Sequence, residues 1–390
     1  MNKIILLAIL AITNICFAQN TNINVGNTTE TNYFTEISFE YVNGKIIIPV
    51  QINNTTYRFL YDSGAPNLIS KKLNDILKTK IIQETTISDA NGNKSVMNIV
   101  ELPDMTIGNI IFQKSAGMFS DDEKSIIFDC FNLDGFIGSN LLRNSIVQID
   151  IKNKVIRIAS DGEKLNLSKK NAVDMELSPF DSNPFIWVKL KGKKSGNEQL
   201  LLDTGMKGFY DVSNRTINLL KSENIFEVIA TGTGLKDMGM FGNATPAAQV
   251  RVSLVEMKIA NSSFTNITSV SMNATQSRIG TELFEKGIGT IDYKHKKFYF
   301  DAYETKNNLS ERLLGFSTAL MNEKYSIGIV WDEKLKDKIS SGDEIIEVNG
   351  INYENYTPCD LIAKKPQFTK GEYKQIKVRT KNGEIIKVDL

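Results

Sequence analysis

Twice in this sequence an apolar strand runs straight into Asp-Ser/Thr-Gly: Tyr57 to Ser70 reads YRFLYDSGAPNLIS, and Gln199 to Ser213 reads QLLLDTGMKGFYDVS. One such tripeptide carries little information at ordinary residue frequencies. Here the companions keep register as well. Gly138, closing Gly135-Phe136-Ile137-Gly138, lies 76 positions beyond Asp62, and Gly280, closing Ser277-Arg278-Ile279-Gly280, lies 77 beyond Asp203. Each glycine is followed twelve residues later by another aspartate, Asp150 and Asp292, in the similar tails IDIKNKVIRI and IDYKHKKFYF. Four landmarks at an offset of 141 or 142 residues point to duplication of one unit.

That unit reads as all-β. Between the landmarks, short β-rich runs alternate with Asn/Gly turns, as in residues 85–93, the pattern of hairpins packed into a sandwich or barrel. Short helices are expected after each downstream glycine, at Asn140-Leu141-Leu142 and Glu282-Leu283-Phe284. A chain of 390 residues exceeds what one hydrophobic core fills, so two or three domains are expected.

Composition narrows the chemistry. Lys+Arg number 46 against Asp+Glu 45, with no basic run, so nucleic acid is not an expected partner. The single histidine, His295, falls in Asp292-Tyr293-Lys294-His295-Lys296-Lys297, which reads as a polar turn between two strands. A Ser-His-Asp or Cys-His nucleophile would depend on that one residue, and zinc sites of the common hydrolytic kind lack their ligands. Carboxylates are left as the acid and base of any hydrolysis, with no metal or organic cofactor required. Two carboxyl groups held about 3 Å apart cannot both ionise easily, so one proton and one charge belong to the pair and neither can be assigned to one residue.

From about Phe34 to Asp301 the sequence resembles the pepsin and retropepsin clan of aspartic peptidases in its bacterial two-lobed form, on the twice-occurring Asp-Ser/Thr-Gly and its downstream apolar-apolar-glycine element. The resemblance implies two duplicated β-barrel lobes, residues 34–165 and 166–304, with the active-site cleft between them. It implies catalytic roles for Asp62 and Asp203, hydroxyl-to-backbone bonds from Ser63 and Thr204 that hold the two loops together, and close backbone approach at Gly64 and Gly205. It also implies a covering hairpin, placed here at Asp89, Ala90, Asn91 and Gly92, with Thr231-Gly232-Thr233-Gly234 as its duplicated counterpart. Two positions depart from the family pattern: Met206 stands where a small residue is usual, and Arg278 where an apolar one is. The first covering hairpin also carries no tyrosine. These departures are the basis of the alternative reading, a peptide-binding protein of the same fold without turnover.

Beyond Asp301 the pattern changes. Residues 339–350, ISSGDEIIEVNG, resemble the core of PDZ domains, and Gln375 to Arg379 with Glu384 to Val388 resemble their closing hairpin. The resemblance makes residues 305–390 a small α+β module that binds peptide ends by strand addition, its carboxylate-binding loop near Gly315-Phe316 or Ser326-Ile327-Gly328. At the other end, Lys3, the apolar Ile4 to Ile12 and Cys16-Phe17-Ala18 read as a signal peptide over residues 1–18, followed by a polar segment at 19–33. Export to the periplasm or outside the cell is expected. A lipid anchor at Cys16 is less expected, because Thr13-Asn14-Ile15 lacks small residues, and no later segment is apolar enough to span a bilayer. Cys130 and Cys359 fall in different expected domains and are read as separate thiols rather than a bridge, although export permits one.

Overall fold

The computed structural model describes residues 22–89, 91–122, 125–236, 238–243, 245–364 and 372–390. The leader expected at 1–18 lies outside these residues, as do positions 19–21 and Ala90. With 50 % of residues in strand and 13 % in helix, the protein is mainly β. No helix of the described residues is long and apolar enough to cross a membrane.

Each Asp-Ser/Thr-Gly turn ends a strand embedded between two neighbours. In the first half, Lys45–Ile52 and Thr55–Asp62 form an antiparallel hairpin. Its turn residues Asn53 and Asn54 both take positive φ, the conformation that a two-residue hairpin turn requires and that asparagine tolerates. On its other edge Thr55–Asp62 pairs in parallel with Gly135–Gly138, so that Gly138 sits opposite Asp62. The second half repeats the order of pairings: Pro184–Lys191 is antiparallel to Ser195–Leu202, and Ser195–Leu202 is parallel to Arg278–Ile279. Asp203 follows directly, its N–H donating to the Ile279 carbonyl at 2.9 Å. Short helical turns follow both glycines, at Ser139–Leu142 and Thr281–Leu283.

The strands beyond these turns join the halves. Ile146–Asp150 pairs antiparallel with Gly287–Asp292, Val147 opposite Ile291, and each is also the partner of its own hairpin mate, Val155–Ala159 and Lys297–Ala302. The apolar core therefore runs through both halves, from Phe59, Ile137 and Val147 to Leu202, Ile279 and Phe298. His295 lies in the turn before Lys297–Ala302, its N–H donating to Asp292 at 2.9 Å.

The C-terminal residues build a separate core around Phe316, Ile327, Ile345, Val348, Ile376 and Val388. The hairpin Phe316–Met321 with Lys324–Val330 and the closing hairpin Gln375–Arg379 with Ile385–Asp389 flank it. Among the described residues the contacts that attach this module to the rest include the pairing of Gly234 with Ile329, the Arg251 guanidinium stacked 4.6 Å from the Trp331 ring centre and the bond between Cys130 and Cys359.

Two expectations are corrected here. Cys130 and Cys359 form a disulfide, because the helices Ile126–Phe131 and Pro358–Ile362 pack side by side although 229 positions separate the cysteines. Residues 231–234 are not a turn. They end the strand Phe226–Gly234, which pairs through Gly234 opposite Ala247. Their glycines serve close approach instead: a Cβ on Gly232 would stand 2.5 Å from the Ile329 side chain, and one on Gly234 2.0 Å from the Gly328 carbonyl.

Candidate active site

The structure brings the two Asp-Ser/Thr-Gly turns face to face. Ser63 N–H donates to Thr204 Oγ1 at 2.9 Å, and Thr204 N–H to Ser63 Oγ at 3.0 Å. Each hydroxyl then crosses to the opposite strand, Ser63 to the Leu202 carbonyl at 2.6 Å and Thr204 to the Tyr61 carbonyl at 3.0 Å. Both side chains are fully buried, so these four bonds are made without competition from water.

The clasp sets the carboxyls against one another. A Cβ on Gly64 would lie 2.7 Å from Asp203 Cγ, and one on Gly205 would lie 2.2 Å from Asp62 Oδ2. Only glycine lets each loop reach the other's carboxyl. Within its own loop, Asp62 accepts from Gly64 N–H at 2.9 Å and Asp203 from Met206 N–H at 3.1 Å. Both aspartates open onto a cleft of about 910 Å³ whose apolar lining includes Leu68, Ile87, Phe136, Phe180, Met206 and Met240.

Residues 48–141 match a family model described as aspartyl protease. The aspartyl protease match contains Asp62, the hairpin over the cleft and Gly138, and it ends before Asp203. It supports protease activity in general. No curated protein matches the chain.

Burial and the neighbouring Asp203 push the Asp62 carboxyl up to about 7, against the opposing pull of Lys45, the Gly64 N–H and Arg278. Burial likewise lowers the Lys45 ammonium, against the attraction of Asp62 and Asp203. Lys45 had no part in the sequence reading. It opens an apolar strand and turns inward to donate to the Gly205 carbonyl. Asn183 does the equivalent on the other side, donating to the Gly64 carbonyl at 3.0 Å. Neither residue belongs to a repeated motif, and only a cation at the head of an otherwise apolar run marked Lys45.

Arg278 stands 3.2 Å from Asp203 and 3.0 Å from Asp211. Lys236 stands 2.9 Å from the other Asp211 oxygen. Burial alone would raise the Asp211 carboxyl, but Lys236 and Arg278 together hold it below the usual carboxylate range.

Two segments cover the cleft. The first is the turn between the strands Lys80–Ser88 and Lys94–Glu101, where Asp89 accepts the N–H groups of Asn91 at 2.9 Å and Asn93 at 3.0 Å, and Gly92 takes positive φ. The second is Met238–Asn243, beyond the glycines at 232 and 234. The two segments touch: Phe241 N–H donates to Asp89 at 3.1 Å, and the Asn93 side chain donates to the Asn243 carbonyl at 3.1 Å.

Proposed function

We propose that the protein is an aspartic endopeptidase of exported or envelope proteins, with two lobes of common origin meeting at Asp62 and Asp203 and a PDZ-like C-terminal module that holds peptide ends. The observation that carries the reading is the reciprocal clasp of Ser63 and Thr204, which holds two carboxyls at one point of a cleft of about 910 Å³. A water between the carboxyls attacks the scissile carbonyl carbon while the ionised carboxylate takes its proton and the protonated carboxyl gives its own to the carbonyl oxygen. The tetrahedral species then collapses, the C–N bond breaks, and the amine leaves with a proton from the pair. The leader read over residues 1–18 supports export.

The test is peptide cleavage by Asp62→Asn and Asp203→Asn beside the parent. Each variant is expected to lose roughly 10²- to 10⁴-fold or more in turnover, the usual scale of a general acid or base. Parent-like cleavage by either variant overturns the mechanism. One observation favours a second reading, a peptide-binding protein without turnover: Asp203 is held in an ion pair with Arg278 at 3.2 Å. Tight peptide binding with no cleavage across a broad pH range would select it.

A further inference from the structure

The two carboxyls of the pair have unequal surroundings. Arg278 and Phe136 hold matching places in the two downstream glycine motifs, so one half presents a guanidinium where the other presents an aromatic ring. Arg278 reaches Asp203 at 3.2 Å, whereas Asp62 makes no side-chain ion pair among the described residues. The guanidinium is itself fixed by its second bond to Asp211. Lys236 shares the charge of Asp211 with the arginine, which keeps its contact with Asp203 at the same time. Lys45, the other cation at the site, acts on both aspartates and more strongly on Asp62, so it opposes the asymmetry without contributing an ion pair of its own.

We propose that Arg278 is a positioning residue that fixes the negative charge of the pair on Asp203 and its single proton on Asp62. The inference rests on the peptidase reading for its catalytic meaning. Asp203 then takes the proton of the attacking water, and Asp62 donates its proton to the substrate carbonyl oxygen, so that one O–H bond breaks and one forms at each end of the step. The roles are set before substrate arrives. The groups facing the pair are Lys45 from the first hairpin, Arg278 and Asp211 from the second half, Lys236 behind Asp211, and the hydroxyls of Tyr61 and Tyr293 beneath Asp62. The raised position of the Asp62 carboxyl agrees with a proton retained there to near-neutral pH.

Carboxyl-carbon NMR of the full chain labelled at aspartate reads this directly, with the two signals assigned by their loss in Asp62→Asn and Asp203→Asn. Between pH 4.5 and 8 the Asp62 carbon is expected to move by the full protonation shift while the Asp203 carbon keeps its ionised position. In Arg278→Gln the two carbons are expected to share the movement, and in Arg278→Lys the split is expected to survive. The same Gln variant should lose on the order of tenfold in kcat/KM at pH 4.5 relative to pH 7, with KM little changed, because an opposite charge no longer guards the base from protonation. Equal movement of the two carbons in the parent, or an unchanged split in Arg278→Gln, overturns the proposal; if that variant does not fold, Arg278→Ala takes its place with the same two outcomes. The spectra need no turnover. A localised proton without cleavage therefore sinks the peptidase reading and spares this one, and cleavage with a shared proton does the reverse.

Discussion

Ser63 and Thr204 each donate a backbone N–H to the other's hydroxyl, at 2.9 and 3.0 Å, across a separation of 141 residues. Ser63→Ala would strip the partner from the Thr204 N–H and from the Leu202 carbonyl, both in a site closed to water. Each stranded group costs about 1–3 kcal/mol. The expected loss of stability is therefore about 2–6 kcal/mol, with kcat falling more than KM changes because the carboxyls lose their alignment. Thr204→Ser keeps the hydroxyl and should stay close to the parent. Urea unfolding and steady-state kinetics on the three proteins check both statements.

The Asp62 carboxyl imposes a slope on stability. Its folded-state value of about 7 lies above the ordinary carboxylate value of 3.8, so between those limits the native state holds a proton that the unfolded chain has released. Stability then falls as pH rises through that window, by at most about 1.4 kcal/mol per pH unit, and levels off above it. Asp62→Asn removes the effect. Its stability relative to the parent should rise from pH 4 to pH 7, read from urea midpoints at the two pH values; a constant difference would mean that Asp62 titrates normally.

What the sequence made legible follows from where the information lies. The two turns that meet at the cleft were readable because the strand, the hydroxyl and the glycines recur in register, and recurrence needs no knowledge of distant contacts. The second covering segment was not readable. Gly232 and Gly234 look like turn residues, yet what demands glycine there is the nearness of Ile329 and the Gly328 carbonyl, almost a hundred residues away. The cysteine pair failed for the same reason, since nothing near Cys130 or Cys359 announces that their helices lie side by side. Lys45 and Asn183 donate to the two turns in equivalent places but are residues of different type, so no repeat could expose them.

The disulfide ties the C-terminal module to the first half of the chain. Closing a loop between positions 229 apart is worth roughly 5 kcal/mol in the chain-entropy model. A Cys130→Ser/Cys359→Ser variant should lose a comparable amount. Among the described residues the module's other attachments to the remainder include the Gly234–Ile329 pairing and the Arg251–Trp331 stack. Limited proteolysis should consequently release residues beyond about 310 faster in the variant than in the parent. Equal rates would show that those contacts suffice without the bridge.

Asp89 connects the two covers of the cleft. Its carboxylate holds its own turn through the N–H groups of Asn91 and Asn93 and reaches the opposing segment through the N–H of Phe241. A polypeptide cannot enter between Asp89 and Phe241 until that contact parts, so the bond belongs to the closed state and works against entry while favouring retention. Asp89→Ala removes all three bonds at once. Hydrogen exchange at residues 91–93 and 238–243 should quicken on both sides of the contact, although only one side was altered. If the covers also hold bound substrate, KM should rise several-fold with a smaller change in kcat, because the chemistry at Asp62 and Asp203 is untouched. Asp89→Asn retains an acceptor of the same shape and should recover most of the exchange protection. Faster exchange confined to residues 91–93 would mean that the two segments move independently and that Asp89 serves its own turn alone.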